Sequence, residues 1–405
     1  MTEAPIEARP ITHHEPTDGT PDVLTSADDI AAMLEQLRHG NGPIAVDAER
    51  ASGFRYSQRA YLLQFARVGS GIALLDPTTT APLDDVVAYV SSQSWILHAA
   101  TQDLPCLREA GFRPTSVYDT ELAAKLLGRP KVGLGALLES ELDVVIAKEH
   151  SAVDWSTRPI PTDWRAYAAL DVEFLVALHD RLDSELRERD RIAWYEQERE
   201  LLLHFTGPEP KPDAWRRTSG IHAIRDPRKQ AIVRSLWEAR DARARELDIS
   251  AGRVLHDSVI IDIAKHAPAS QAQLEALRPV HSRNARKDPA YWWDAIAAAL
   301  ALGDHELPKR PSSDGSIPPP KAWPQRNPDA AARWELVRPA VVATAEELEL
   351  APEVLISPEI IRRLCWEGFA IGHSLAEVEH RLSQTPARPW QIEHLAAPIA
   401  KALVG

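Results

Sequence analysis

Five side chains have the types and local settings for metal-assisted phosphoryl chemistry: Asp47 and Glu49, then Asp103, then Tyr167 and Asp171. Asp47 and Glu49 end an apolar run of strand character that starts at Pro43. Strand side chains alternate faces, so these two carboxylates point one way and Ala48 the other. Acids that close repel unless a cation lies between them, and hard oxygen donors suit Mg2+ or Mn2+. Asp103 follows a second apolar run, 94 to 100, and Thr101 is expected to cap a helix whose first turn holds Asp103 and tolerates Pro105. Further on, Thr162 is the expected cap of one long helix, with Leu170, Phe174, Leu178, Leu182 and Leu186 as its buried stripe. Tyr167 and Asp171 lie four apart on that helix and share a face. Each piece alone also fits ordinary structure: solvated strand-end acids, an acid at a helix start, a packed Tyr beside an Asp. Their company is what points to a site.

Three segments carry a family resemblance: Val46-Asp47-Ala48-Glu49, His98-Ala99-Ala100-Thr101-Gln102-Asp103-Leu104 and Tyr167-Ala168-Ala169-Leu170-Asp171-Val172. They resemble the three exonuclease motifs of the DEDD superfamily, in its tyrosine-bearing branch, and ribonuclease D is the family they look most like. Asp154-Trp155-Ser156-Thr157-Arg158-Pro159 is also similar to that family, and the likeness covers residues 40 to 200. Ala48 departs from it, standing where the family often has Thr. The resemblance implies a ribonuclease H-like α/β fold and a metal-dependent 3'-5' exoribonuclease that releases nucleoside monophosphates from structured RNA such as tRNA precursors. It also implies two divalent ions, Mg2+ or Mn2+. Asp47 would bridge them, with Glu49 and Asp171 completing one ion, Asp103 reaching the other, and Tyr167 orienting the water. A 3'-5' DNA exonuclease and a non-catalytic RNA-binding protein are the rival readings. The second would be expected to have lost a metal carboxylate, and all are present.

Length and composition frame what must position these groups. With 405 residues, 44% of them hydrophobic, the chain can build two or three cores. Its two cysteines, Cys106 and Cys365, exclude a disulfide framework and a Cys-rich zinc site. No signal-peptide pattern or membrane-length apolar run is read, so a soluble cytoplasmic protein is expected. There is no Gly-x-Ser-x-Gly elbow, Walker loop or His-Glu-x-x-His, which removes other hydrolases and an ATP-driven helicase.

The net charge of −13 divides unevenly, with −14 in residues 1 to 205 and +1 in the rest. Residues 211 to 245 carry ten basic side chains against four acids. Those expected to hold phosphate are Arg216, Arg217, Arg225, Arg228, Lys229 and Arg234, through a sequence-indifferent, salt-sensitive contact. An ordinary solvated helix face with paired Arg and Glu is the alternative.

The expected organisation is a disordered tail (1–21), an exonuclease domain (22–205) of mixed sheet and helices, a linker (206–214), a helical module (215–303), a second linker (304–325) and a second helical module (326–405). Ser26 should cap the first helix, and strands are expected near 43–49, 60–68, 71–76 and 94–99. The first module, with Asp226-Pro227-Arg228-Lys229 and Val254-Leu255-His256-Asp257, resembles an HRDC domain. The second reads as a tandem, HRDC-like copy at an offset of 101: Glu246-Leu247 matches Glu347-Leu348, and Asp226-Pro227 matches Asn327-Pro328. With only Arg333 and Arg338 basic over 327 to 346, against Asp329, Glu335 and Glu346, the copy is expected to pack or shape a ring or channel, so deleting 326–405 should leave RNA affinity nearly intact; a chance alignment of two amphipathic helices is the alternative reading.

Overall fold

The computed structural model describes residues 12–147, 152–209, 211–277, 288–309, 317–369 and 374–404. Strands β1 (Thr12–His13), β2 (Val23–Leu24), β3 (Asn41–Arg50), β4 (Ala60–Val68), β5 (Gly71–Leu75), β6 (Ser94–Leu97), β7 (Ser116–Asp119) and β8 (Val145–Ile146) lie in the front part. Its helices are α1 (Ala27–His39), α2 (Asp84–Ser92), α3 (Leu104–Glu109), α4 (Thr120–Leu126), α5 (Leu134–Leu142), α6 (Thr162–Glu173), α7 (Leu175–Glu188) and α8 (Ile192–His204). Six strands make one mixed sheet in the order β2-β5-β4-β3-β6-β7, while β1 pairs with β8. β4 runs antiparallel to both neighbours, and the other pairings are parallel.

Alternation along β3 sorts its side chains between two layers. Ile44, Val46 and Ala48 pack with Ile30, Met33 and Leu37 of α1 and with Leu104 and Leu107 of α3. Ala45 faces the opposite layer, where Leu170, Leu178 and Leu182 lie. Asp47 and Glu49 share the second face, so the sheet aims them at α6 and α7.

Several expectations are corrected. Residues 12–21 are no disordered tail: Thr12 and His13 pair with Val145 and Ile146, and the Thr17 N–H donates to Glu173 at 2.8 Å. Residues 1–11 lie outside the described residues. Ser26 does cap α1, accepting from the Asp29 N–H. Thr162 is not a cap, since Pro161 holds that position and the Thr162 hydroxyl accepts from Arg165 instead. The long helix is two helices, divided at Phe174, whose ψ of 1° departs from helical geometry. β7 escaped the sequence reading, because four residues are too few to show a period.

Behind the front part come α9 (Pro227–Leu247), α10 (Ala251–Val254), α11 (Asp257–His266), α12 (Gln271–Ala276) and α13 (Pro289–Ala301). Then follow α14 (Trp323–Arg326), α15 (Pro328–Glu347), α16 (Pro352–Leu355), α17 (Pro358–Glu367), α18 (Leu375–Ser383) and α19 (Pro389–Val404). An offset of 101 carries the starts of α9, α10 and α11 onto those of α15, α16 and α17, and brings α13 within one residue of α19. The matched dipeptides are helix starts. Asp226 caps α9 and Asn327 caps α15, each followed by a proline whose missing N–H costs nothing there. Trp323, inside the compositional linker 304–325, is fully buried against Trp334 and Trp366. Its large apolar surface joins the core that the second module shares with the front part. No described helix is long and apolar enough to cross a membrane.

Candidate functional site

All five residues singled out by type and spacing line one cleft of about 350 Å³, with Arg50, His98, Gln102, Glu121 and Leu134 among its other walls. Oxygens of Asp47, Glu49 and Asp171 lie within 4.8 Å of one another. Asp103 joins them through its contact with Asp47 and stands 3.7 Å from the Arg50 guanidinium.

Each element delivers its group for a local reason. A register irregularity between Glu49 and Arg50 interrupts the β3–β4 ladder, and Arg50 lines the same cleft as the acids. After β6 the chain turns sharply, with Ala99 in the left-handed region at φ 57°. Asp119, at the end of β7, holds that turn: its carboxylate accepts from Ala99 N–H at 3.0 Å and Ala100 N–H at 2.9 Å. The same carboxylate caps α4, accepting from the Glu121 and Leu122 N–H groups. Thr101 does not act as a cap. Asp103 itself takes the cap position of α3 and makes no side-chain capping bond, which leaves its carboxylate for the cleft. On α6, Tyr167 hydrogen-bonds Asp171 one turn on. Behind Tyr167 stands the fully buried Trp155, ring centroids 6.4 Å apart. Arg158 fixes that segment by pairing with Asp76 at 2.6 Å and donating to the Tyr61 carbonyl at 2.7 Å.

Electrostatics mark the cluster as a cation site. Burial, followed by the charges of Asp47, Asp171 and Asp103, holds the Glu49 carboxyl well above its ordinary range. Asp103 and Asp171 are likewise pushed well up, by burial and then by Asp47. Burial also raises Asp47. Arg50 is the cation that offsets this charge. A donor set of carboxylate oxygens without imidazole or thiolate fits hard divalent ions, whose charge reverses the repulsion. The nearby Cys106 thiol, pushed up to about 12 by burial, offers no thiolate. The Tyr167 hydroxyl is pushed above its usual range by burial and then by Asp171, Glu49 and Asp47, and stays protonated.

Sequence reasoning missed four residues here. Arg50 and His98 line the cleft; Asp119 aims the turn that carries Asp103; Gln64 pairs in register with Asp47 and is fully buried. Two left a signal: His98 opens the second motif-like segment, and Asp119 is an acid before Thr120-Glu121 that reads as a helix cap.

The basic stretch is gathered less closely. Arg216 pairs with Asp213 and stacks on Trp215, Arg228 holds Asp304 and the Leu300 and Leu302 carbonyls, and Lys229 donates to the Lys265 carbonyl. Arg240 is buried on Asp257. Arg243 pairs with Glu246 and Arg245 with Asp241. Arg234 is half-buried, with Asp213 within its electrostatic reach. Arg217 and Arg225 are exposed on this module.

Comparison with known proteins agrees with this architecture. Residues 21–187 match a family model described as 3'-5' exonuclease, 229–296 one described as HRDC domain, and 316–403 one described as 3' to 5' exonuclease C-terminal domain. The chain is 28% identical to Ribonuclease D of Nitrobacter hamburgensis, across 95% of this chain and 98% of that one. It is 30% identical to Ribonuclease D of Zymomonas mobilis, across 71% and 75%. A crystal structure of a protein from Bifidobacterium adolescentis superposes with a TM-score of 0.89 at 37% identity, covering 98% of this chain and 100% of that one. Escherichia coli RNase D, an exoribonuclease involved in structured RNA processing, shares the fold with a TM-score of 0.67 at 23% identity, over 95% and 98%.

Proposed function

We propose, from the premise that this chain belongs to the ribonuclease D family of 3'-5' exoribonucleases, that it trims the 3' tails of structured RNA such as tRNA precursors by a two-metal displacement. The observation carrying this reading is the meeting of Asp47, Glu49 and Asp171 within 4.8 Å, beside Asp103 and Tyr167, in one cleft. Two divalent ions, Mg2+ or Mn2+, would be held by Asp47, Glu49, Asp103 and Asp171 and would supply charge stabilisation at the attacking and leaving oxygens. Asp47 touches Asp103 and has an oxygen within 4.8 Å of those of Glu49 and Asp171, so it would hold the ions together with all three of these acids. Tyr167 keeps its proton and, anchored on Asp171 with Trp155 behind it, orients the attacking water rather than deprotonating it. The first helical module holds the phosphate backbone, with Arg217 and Arg225 as its most available cations among the six named residues. Structured RNA as substrate is supported by the involvement of the Escherichia coli relative in structured RNA processing.

The test uses 5'-labelled RNA and DNA of one sequence, each with a free or blocked 3' end, with and without divalent ion. A metal-dependent ladder on RNA with a free end is expected, and degradation of blocked RNA would refute the polarity. Asp171→Asn and Asp47→Asn should leave almost no activity while Tyr167→Phe leaves a measurable part. Equal loss in all three would remove the role given to Tyr167. Because the acids are pushed up in the folded chain, their ionisation opposes folding as pH rises through their range, and bound cations offset this. Added Mg2+ or Mn2+ should therefore raise the thermal midpoint of the wild type at neutral pH and do so less in Asp171→Asn.

A further inference from the structure

His98 is a cleft residue to which the nuclease reading assigns no work, and its surroundings fix what it can do. It directly follows β6 and lines the cleft together with the acid cluster, Glu121 and Leu134. Its Nδ1 lies 2.9 Å from the Thr120 hydroxyl, and that hydroxyl donates its single proton to the Leu97 carbonyl at 3.2 Å. Thr120 can then only accept, so Nδ1 carries the hydrogen. Burial lowers the ring's pKa to about 4, leaving a neutral imidazole whose Nε2 is an acceptor.

A fixed, uncharged acceptor needs a donor from the substrate. Phosphate oxygens offer none. Base N–H groups differ in position among the four nucleotides, so they cannot satisfy one rigid acceptor in an enzyme that digests mixed sequence. Ribose hydroxyls are common to all four, and the 2'-OH is the one that separates RNA from DNA. Gln102 is exposed and Glu121 is paired with Lys125, whereas the His98 ring is held on Thr120 in a single orientation.

We infer that His98 reads the 2'-hydroxyl of the 3'-terminal nucleotide, accepting its hydrogen bond at Nε2 and so setting the choice of ribose over deoxyribose. This rests on the exoribonuclease reading of the same cleft. Thr120 is the positioning residue that holds the imidazole in the accepting tautomer.

The experiment compares kcat/KM for 5'-labelled oligoribonucleotides identical except at the last sugar, which is ribose, 2'-deoxyribose or 2'-fluororibose. The fluoro sugar keeps a ribose-like pucker but cannot donate. Wild-type protein should slow about tenfold on both altered ends, the worth of one hydrogen bond. In His98→Leu the ratio between ribose and altered ends should collapse to about one, and His98→Gln, whose amide oxygen accepts, should recover part of it. Equal wild-type rates on all three ends, an effect only when the penultimate sugar is altered, or a full ratio retained in His98→Leu would each overturn the assignment. Wild-type protein that leaves the all-ribose substrate intact with divalent ion present would instead defeat the exoribonuclease reading.

Discussion

The two helical modules repeat one succession of helices yet meet the catalytic unit by opposite means. The first docks through polar contacts on residues 51–59, the loop leaving Glu49 and Arg50. Ser250 and Arg253 donate to the Gly53 carbonyl, Asp248 accepts from Ser57 N–H at 2.8 Å, and the Tyr56 hydroxyl donates to Asp241 at 3.0 Å. Among the described residues of the catalytic unit, Tyr56 is the one packed on this module's apolar cluster. The second module has no core of its own. One apolar cluster runs from Leu170 and Leu182 through Tyr195 to Val341, Leu364 and Leu395. Trp194 stacks on Trp390 at 4.8 Å, while the buried Arg191 donates to the Leu126 and Leu348 carbonyls at 2.7 and 2.6 Å. Hydrogen bonds at a surface are re-made with water at small net cost, whereas a shared core is not. Duplicated helices thus form a module docked by polar contacts in one place and part of the catalytic unit's own core in the other.

The largest test falls on the shared core. Trp390→Ala should cost about 3 to 5 kcal/mol in denaturant unfolding, with catalytic unit and second module melting together. Separate transitions would break the comparison. Next is Gly128, at φ +74°, where an added Cβ would meet the Glu349 carbonyl oxygen at 2.0 Å. Gly128→Ala should cost about 1 to 3 kcal/mol by wedging the second module away, read by calorimetry.

Smaller effects are expected at the polar dock. Asp248→Ala, which removes contacts to Ser57 and Tyr61, should cost about 1 to 2 kcal/mol and raise hydrogen exchange in residues 51–59 while leaving α15 and α19 protected. The smallest change in stability belongs to Arg217→Gln with Arg225→Gln, within about 0.5 kcal/mol of wild type. Binding of single-stranded RNA should nonetheless lose about 1.4 from its log-log salt slope, and an unchanged slope would take phosphate contact away from this module. Deleting 326–405 does not test affinity alone, because it removes Trp390, the stacking partner of Trp194.

What could be read without coordinates was what local chemistry dictates. Alternation on β3 aimed Asp47 and Glu49 together, helical spacing stacked Tyr167 over Asp171, and segments matched at an offset of 101, Asp226-Pro227 with Asn327-Pro328 among them, marked the repeat. The mixed sheet and helical tail followed from the same periods. Non-local packing decided the rest. Phe174 interrupts a stripe that looked continuous, Trp323 leaves a proline-rich stretch for the core, and Arg228 and Arg240 of the basic run pair with Asp304 and Asp257, acids distant in sequence. Asp119, 16 residues beyond Asp103, aims the turn that carries it. A one-dimensional pattern records which faces a segment can offer, since that depends on a few neighbours along the chain. Which partner each face finds depends on contacts that close large loops, and those exist only once the sheet has assembled.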